Sequence, residues 1–218
     1  MRFGVLGTGV VGQAIAGKLV ELGHEVRMGS RQAGNEKAVA WAAEAGDRAS
    51  EGSFADAAAY GEVVVNATAG TASLEAIEAA GAENLAGKVV MDVANPLDFS
   101  RGMPPTLSVC NDDSLAEQIQ RAFPEARVVK ALNTVNASVM VSPGPMGEVT
   151  HVFVCGNDEA AKAQVTDLLR SFGWGDGDVL DLGDVTAARG PEMYLPLWLR
   201  MFGALGTSEF NIGVITGR

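Results

Sequence analysis

The sequence predicts an α/β fold with a mostly parallel sheet, and three observations carry that expectation. Short β-rich runs alternate with helically spaced apolar residues along most of the 218 positions. A glycine-rich run from Gly7 to Gly12 sits between the first strand and the first helix. The strand–helix–strand unit around it is about 30 residues long, as a parallel crossover requires.

Residues 2–6 alternate like a strand, and Gly7-Thr8-Gly9 breaks the run. Val11, Ala14, Ile15, Leu19 and Leu22 then recur at helical spacing until Gly23 ends the helix. A second strand follows at 25–29, and an Ala-rich helix at 35–45 is closed by Gly46. Ser53 with Asp56 has the pattern of a capping box, opening a short helix before a buried strand at 62–66. A helix at 72–80 leads through Gly87 to a strand at 88–92. Residues 96–112 carry three prolines and few periodic apolar positions, so they read as a long loop of the kind that serves binding. Ser114 and Glu117 form a second capping box, for a helix to Phe123, and a strand spans 127–132. Pro143, Gly144, Pro145 and Gly147 mark 136–148 as a boundary. Beyond it the pattern gives a strand at 151–155, a helix capped by Asn157 and stopped by Gly173, a short strand at 179–182 and an apolar helical stretch over 192–205. The expected organisation is an N-terminal dinucleotide-binding domain over 1–135 and a small C-terminal α/β lobe over 136–218.

Apolar residues make up 47% of the chain and charged residues 20%, with no apolar run near the ~20 residues of a membrane span. Met1 to Leu6 run straight into the glycine motif, so a first strand is expected there rather than a leader, in a cytoplasmic setting. Cys110 and Cys155 lie far apart without metal-ligand spacing, and both read as small apolar residues of a reducing compartment. The net charge of −11 argues against nucleic acid or an acidic membrane as partner. The first fifty residues nevertheless hold six Lys or Arg against five Asp or Glu, while the rest hold ten against twenty-two. That local relief of negative charge suits a phosphate-rich ligand near the N-terminus.

Gly7-Thr8-Gly9-Val10-Val11-Gly12 fits the G-x-G-x-x-G fingerprint in its required context, after a strand and opening a helix. Gly7 permits the tight turn, Gly9 lets backbone approach a pyrophosphate, and Gly12 lets helix and strand pack closely. The helix N-terminus then offers unpaired N–H groups to the phosphates. A Rossmann nicotinamide-dinucleotide site is the expectation. The end of the second strand selects between NAD and NADP, usually through an acidic residue about 20 positions on. Ser30-Arg31 stands there instead, a hydroxyl and a guanidinium that suit a 2′-phosphate, so NADP(H) is the expected cofactor. Lys37 either adds charge to that site or is a solvated helix residue. Asn66-Ala67-Thr68, Asn95 and Asn133-Thr134 fall at strand ends on the edge where open parallel sheets bind ligands, either lining a polar cleft or capping strands.

His24 and His151 read as structural residues. No metal-ligand cluster and no nucleophile elbow is visible, so neither a metal nor a catalytic side chain is assigned. Hydride transfer between two bound redox partners needs proximity and orientation more than a strong acid or base.

The runs Gly7 to Gly12, Leu22-Gly23-His24-Glu25-Val26, Gly29-Ser30-Arg31 and Ala131-Leu132-Asn133-Thr134 resemble the NADP oxidoreductases dependent on coenzyme F420, a deazaflavin hydride carrier. A related domain occurs in the animal six-transmembrane ferric reductases, which this chain resembles only in their soluble half. The resemblance implies NADP(H) held at Thr8, Ser30 and Arg31. It also implies a deazaflavin stacked over the nicotinamide near Asn133, Thr134 and the C-terminal lobe. The expected function is hydride transfer between NADP(H) and F420. A reductase of free flavin or of a small carbonyl or imine, and a non-enzymatic NADP(H) sensor, stand as alternatives. The apolar stretch from Tyr194 to Leu205 covers the second ligand, builds a dimer interface or is a core helix; a homodimer is the expected assembly.

Overall fold

Strands that are apolar on both faces need helices above and below them, and this chain provides both layers. The computed structural model describes every residue except Pro145, Gly147, Glu148 and Arg218, so part of the expected boundary loop lies outside the described residues. The first half runs β1 (Arg2–Leu6), α1 (Val10–Glu21), β2 (Glu25–Ser30), α2 (Glu36–Ala45), β3 (Ala49–Ser53), α3 (Phe54–Tyr60), β4 (Val63–Asn66), α4 (Gly70–Ala80), α5 (Ala82–Leu85) and β5 (Val89–Asp92). A hairpin of β6 (Leu97–Asp98) and β7 (Thr106–Leu107) follows, then α6 (Leu115–Ala122), β8 (Arg127–Ala131) and α7 (Ala137–Val141). The chain continues through β9 (Val152–Cys155), α8 (Glu159–Ser171) and β10 (Val179–Asp181) to a 3-10 turn at Val185–Ala188, α9 (Arg189–Met193) and α10 (Leu195–Leu205).

Eight strands form one sheet in the order β3-β2-β1-β4-β5-β8-β9-β10. The first six are parallel and follow the doubly wound dinucleotide-binding order; β9 pairs antiparallel with β8, and β10 runs parallel to β9. Alternation along each strand divides the core. Phe3, Val5, Val63, Val65, Val89, Met91 and Val129 face a layer containing Ile15, Leu19, Trp41, Val139, Val165 and Leu169. Leu6, Val64, Val90 and Val128 face Phe54, Ala57, Ile77, Leu115, Ile119 and Val185 on the other side. Strand order reverses between β1 and β4, which opens a crevice at their carboxyl ends.

The structure departs from the sequence reading in small ways, each with a local cause. Strand β3 is missed because Ala-Ser-Glu-Gly-Ser is polar, an edge strand of which only Gly52 is buried. The loop at 96–112 contains the two-residue strands β6 and β7, too short to show a period. Helix α8 is capped by Asp158, whose carboxylate accepts from the Ala161 N–H, and not by Asn157, whose carbonyl oxygen accepts from the Val185 N–H. The Ser53–Asp56 capping box is present in full. At Ser114 only the hydroxyl half forms with the backbone, because Glu117 takes the Ser114 hydroxyl and Arg189 instead of the cap N–H. Within 136–148 the short helix α7 packs Val139 and Met140 into the core. His24 lies beside the Phe3 ring between α1 and β2, and the His151 Nδ1 accepts from the Val214 N–H; both are structural.

Candidate dinucleotide and second-substrate cleft

The turn after β1 forces glycine at two of its three motif positions. Gly7 has φ +119°, and a Cβ there would lie 2.5 Å from the Ala67 carbonyl oxygen. A Cβ on Gly12 would lie 2.1 Å from the Gly7 carbonyl oxygen, so helix α1 reaches its seat over the turn only with glycine there. Gly9 is different: a Cβ would meet nothing within 4 Å. Its side faces open space, so the protein itself does not require glycine there. Gly9 is also the N-cap of α1, with no side-chain cap and no acidic residue in the first turn, which leaves the N–H groups and the positive end of the helix dipole for an anion. Among the motif's intervening residues, Thr8 faces the groove, its carbonyl held by the Gln13 amide at 2.9 Å; Val11 is turned to the second cavity, and Val10 is exposed away from both.

Two cavities lie along this edge. One, of about 850 Å³, is lined by Gly7, Thr8, Gly9, Ser30, Arg31 and, from α4, Ala72 and Glu75. Ser30 is nearly buried and its hydroxyl donates to the Gln32 carbonyl at 2.5 Å, so it holds the turn. Arg31 is exposed on the groove and, among the described residues, makes no hydrogen bond or ion pair. Lys37 sits exposed in the first turn of α2, outside the lining; its N–H is capped by Asn35.

The other cavity, of about 480 Å³, is walled by residues after β4, β5 and β8 together with α1 and α10: Val11, Thr68, Asn95, Thr134, Leu195 and Trp198 among them. Ala67, Thr68 and Ala69 line both cavities, so the two form one trench across the switch point. Asn133 and Asn95 face each other here, the Asn95 amide donating to the Asn133 carbonyl and the Asn133 amide to the Asn95 side-chain oxygen, each at 2.8 Å. Thr134 is buried with its hydroxyl unpartnered among the described residues. Asn66 lines neither cavity. Its amide donates to Asp92 at 2.9 Å while its oxygen accepts the Thr68 hydroxyl at 2.7 Å, so it supports the wall from behind.

Asp98 and Phe99 line this cavity from the 96–112 loop expected to serve binding, although no sequence signal singles out either residue. Asp98 is the one charged side chain among the described residues lining this second cavity, and the Ser100 N–H keeps its carboxyl below the ordinary range. Phe99 stands at the mouth, 55% exposed, where a bound planar ligand would find an aromatic surface. No group of three metal-ligating side chains occurs among the described residues. Cys155 is buried, which pushes its thiol up to about 12, an inert core group as expected.

A glycine-cradled helix N-terminus at the switch point of a doubly wound sheet, with a second cavity beyond it, defines an NAD(P)-binding Rossmann oxidoreductase. The family model for coenzyme F420-dependent NADP oxidoreductases matches residues 2–96. A crystal structure from Arthrobacter sp. FB24, provisionally described as an F420-dependent NADP-reductase, is 55% identical and superposes with a TM-score of 0.93 over 99% of this chain and 100% of that one. The F420-dependent NADP reductase of Methanocaldococcus jannaschii is 34% identical over 145 residues, 65% of this chain and 62% of that protein. Metalloreductase STEAP3 of Rattus norvegicus is 33% identical over 121 residues, 54% of this chain but only 22% of that protein. The chain belongs to the F420-dependent NADP oxidoreductase family. It spans less than two thirds of both the methanogen and the rat protein. Among the described residues no helix is long and apolar enough to cross a membrane.

Proposed function

We propose that this chain transfers a hydride between NADP(H), held in the larger cavity, and coenzyme F420, held in the smaller one. The observation that carries the proposal is the pairing of two cavities across one wall: one opens on the glycine turn and the α1 N-terminus, the other is largely apolar, and both share Ala67–Ala69. The open side of Gly9, the α1 N-terminus without a side-chain cap and Arg31, unpaired among the described residues, fit a dinucleotide bearing a 2′-phosphate. Gly7, Thr8 and Gly9 would hold the pyrophosphate, and Arg31 the 2′-phosphate. Bound NADPH supplies the hydride. The chain contributes proximity and exclusion of water, with Asn95, Asn133 and Thr134 at the floor of the second cavity and Phe99, Leu195 and Trp198 around it.

The test is to follow NADPH oxidation against F420, free flavins and simple cyclic imines. Turnover of F420 supports the proposal. An F420 absorbance that stays constant under saturating NADPH while a flavin or an imine is reduced overturns the choice of acceptor. The lone carboxylate Asp98 in an otherwise uncharged cavity favours a small protonated imine as the second reading. NADPH that binds without any acceptor being reduced would instead identify a sensor. The proposal extends to a homodimer formed through α10, where Leu197, Phe202 and Leu205 are exposed on a helix with only Leu195 fully buried, and sedimentation velocity tests it.

A further inference from the structure

The centre of the sheet's carboxyl edge holds a cluster for which hydride transfer has no direct use. Lys130 on β8 is fully buried, with its Nζ donating to Asp92 Oδ2 and to the Ala94 carbonyl, each at 2.7 Å, and lying 2.7 Å from Glu192 Oε1. Two carboxylates therefore share one ammonium. Further donors meet the carboxylates: Glu192 accepts the backbone N–H groups of Leu115 and Ala116 at the N-terminus of α6, and Asp92 accepts the Ala94 backbone N–H and the Asn66 side-chain amide. Burial works against the Lys130 charge, but the Asp92 and Glu192 carboxylates outweigh it and hold its pKa above the ordinary value.

The cluster continues in both directions to the trench. From Asp92 it passes through Asn66 to Thr68, whose hydroxyl also accepts from Ser73 at 2.8 Å, with the Ala69 carbonyl 3.2 Å from the same Ser73 hydroxyl. Thr68 and Ala69 are the wall common to both cavities. In the other direction Glu192 belongs to α9, and Leu195 and Trp198, three and six residues later at the start of α10, wall the second cavity. Ala94, held by Lys130 and by Asp92, lines the same cavity. Buried ion pairs gain little net stability once desolvation is counted, and their best-attested value lies in fixing one arrangement.

We propose that Asp92, Lys130 and Glu192 are positioning residues: a buried strut that sets the α10 wall of the second cavity against the Thr68–Ala69 wall of the cofactor groove. Cofactor binding at Thr68 then orders α10, and the acceptor meets a wall already in place. The proposal rests on the reading that the larger cavity binds NADP(H), and its test separates the two.

Hydrogen–deuterium exchange of peptides covering 195–205 reads the coupling without any acceptor. In the wild-type chain saturating NADP⁺ slows exchange there. In E192Q, NADP⁺ affinity stays within a few-fold while that protection disappears, and kcat with the acceptor falls by roughly ten- to a hundred-fold. Asn66→Ser cuts the strut at its other end with every charge still paired, and gives the same uncoupling in a chain that keeps its ion cluster. Arg189→Gln severs the outer clamp to Glu117 on the same α9–α6 junction, and leaves NADP⁺-induced protection and kcat unchanged. Wild-type exchange at 195–205 indifferent to NADP⁺, or protection undiminished in both E192Q and N66S, overturns the strut. Failure of the wild type to bind NADP⁺ at all overturns the cofactor reading instead.

Discussion

Replacing Arg31 with alanine tests the cofactor assignment where the structure isolates it best. The guanidinium is exposed on the groove and has no hydrogen-bond or ion-pair partner among the described residues, so its removal breaks no polar contact among them. The fold should be unaffected. A hydrogen bond to a charged group is worth about 1.5–3 kcal/mol, and solvent around an exposed side chain places this one at the lower end, about 1.5–2 kcal/mol. At about 1.4 kcal/mol per tenfold, NADPH affinity should fall roughly 10- to 30-fold. NADH carries no 2′-phosphate and should bind as before. Isothermal titration of both cofactors against both proteins measures the asymmetry, and a salt series sharpens it. Raising ionic strength should weaken NADPH binding to the wild type and have much less effect on R31A. Equal losses for NADPH and NADH, or a loss for neither, would refute the assignment: the first signals damage to the turn, the second a guanidinium that only decorates it.

Gly9→Ala and Gly12→Ala separate what the ligand requires from what the fold requires. Open space around Gly9 predicts an unchanged melting temperature with NADPH and NADH binding both lost, whereas the 2.1 Å approach at Gly12 predicts destabilisation by about 1–3 kcal/mol, read by urea unfolding. Binding that survives in G9A would place the pyrophosphate elsewhere. Acid stability should depend on Glu117, whose carboxyl is held below its ordinary 4.5 by the hydrogen-bonded Arg189 guanidinium. A depressed carboxylate stabilises the native state above its unfolded pKa and loses that contribution as pH falls through the lower native value. Arg189→Gln should therefore lower the melting temperature by a few degrees at pH 7 and by less near pH 3. A pH-independent difference between the two proteins would contradict this account.

Most of the fold is legible in the sequence because its strands are buried on both faces and read as unbroken apolar runs between helical periods. Val63-Val64-Val65 and Val89-Val90-Met91 admit little else. Strand β3 escapes because its pairing energy lies in the backbone ladder to β2, which leaves no trace in side-chain pattern. The capping residue of α8 escapes for a similar reason. Asn157 and Asp158 are both good caps, and the choice is made by Val185, 28 positions away, which takes Asn157.

The two ends of the trench differ in legibility for a physical reason. The proposed phosphate end is built from two short runs, Gly7 to Gly12 and Ser30-Arg31, whose backbone requirements are local. The proposed acceptor end draws on residues 93–100, 133–140 and 195–198, which only the β4–β5–β8 register and the α9–α10 turn bring together. Asn66 shows the limit. A strand-end asparagine looks like a ligand contact in sequence, but the β4–β5 register sets it opposite Asp92 and turns its side chain inward. Lys130 shows it again, since nothing within Arg-Val-Val-Lys-Ala announces the Asp92 and Glu192 carboxylates that meet it from elsewhere in the chain. Substitutions scattered over those three distant segments can therefore reshape the acceptor cavity while every residue of the glycine motif stays in place. Within such a family the proposed acceptor contacts can change through those three segments, while the proposed NADP(H) contacts of Gly7, Thr8, Gly9 and Arg31 all lie within the first thirty-one residues.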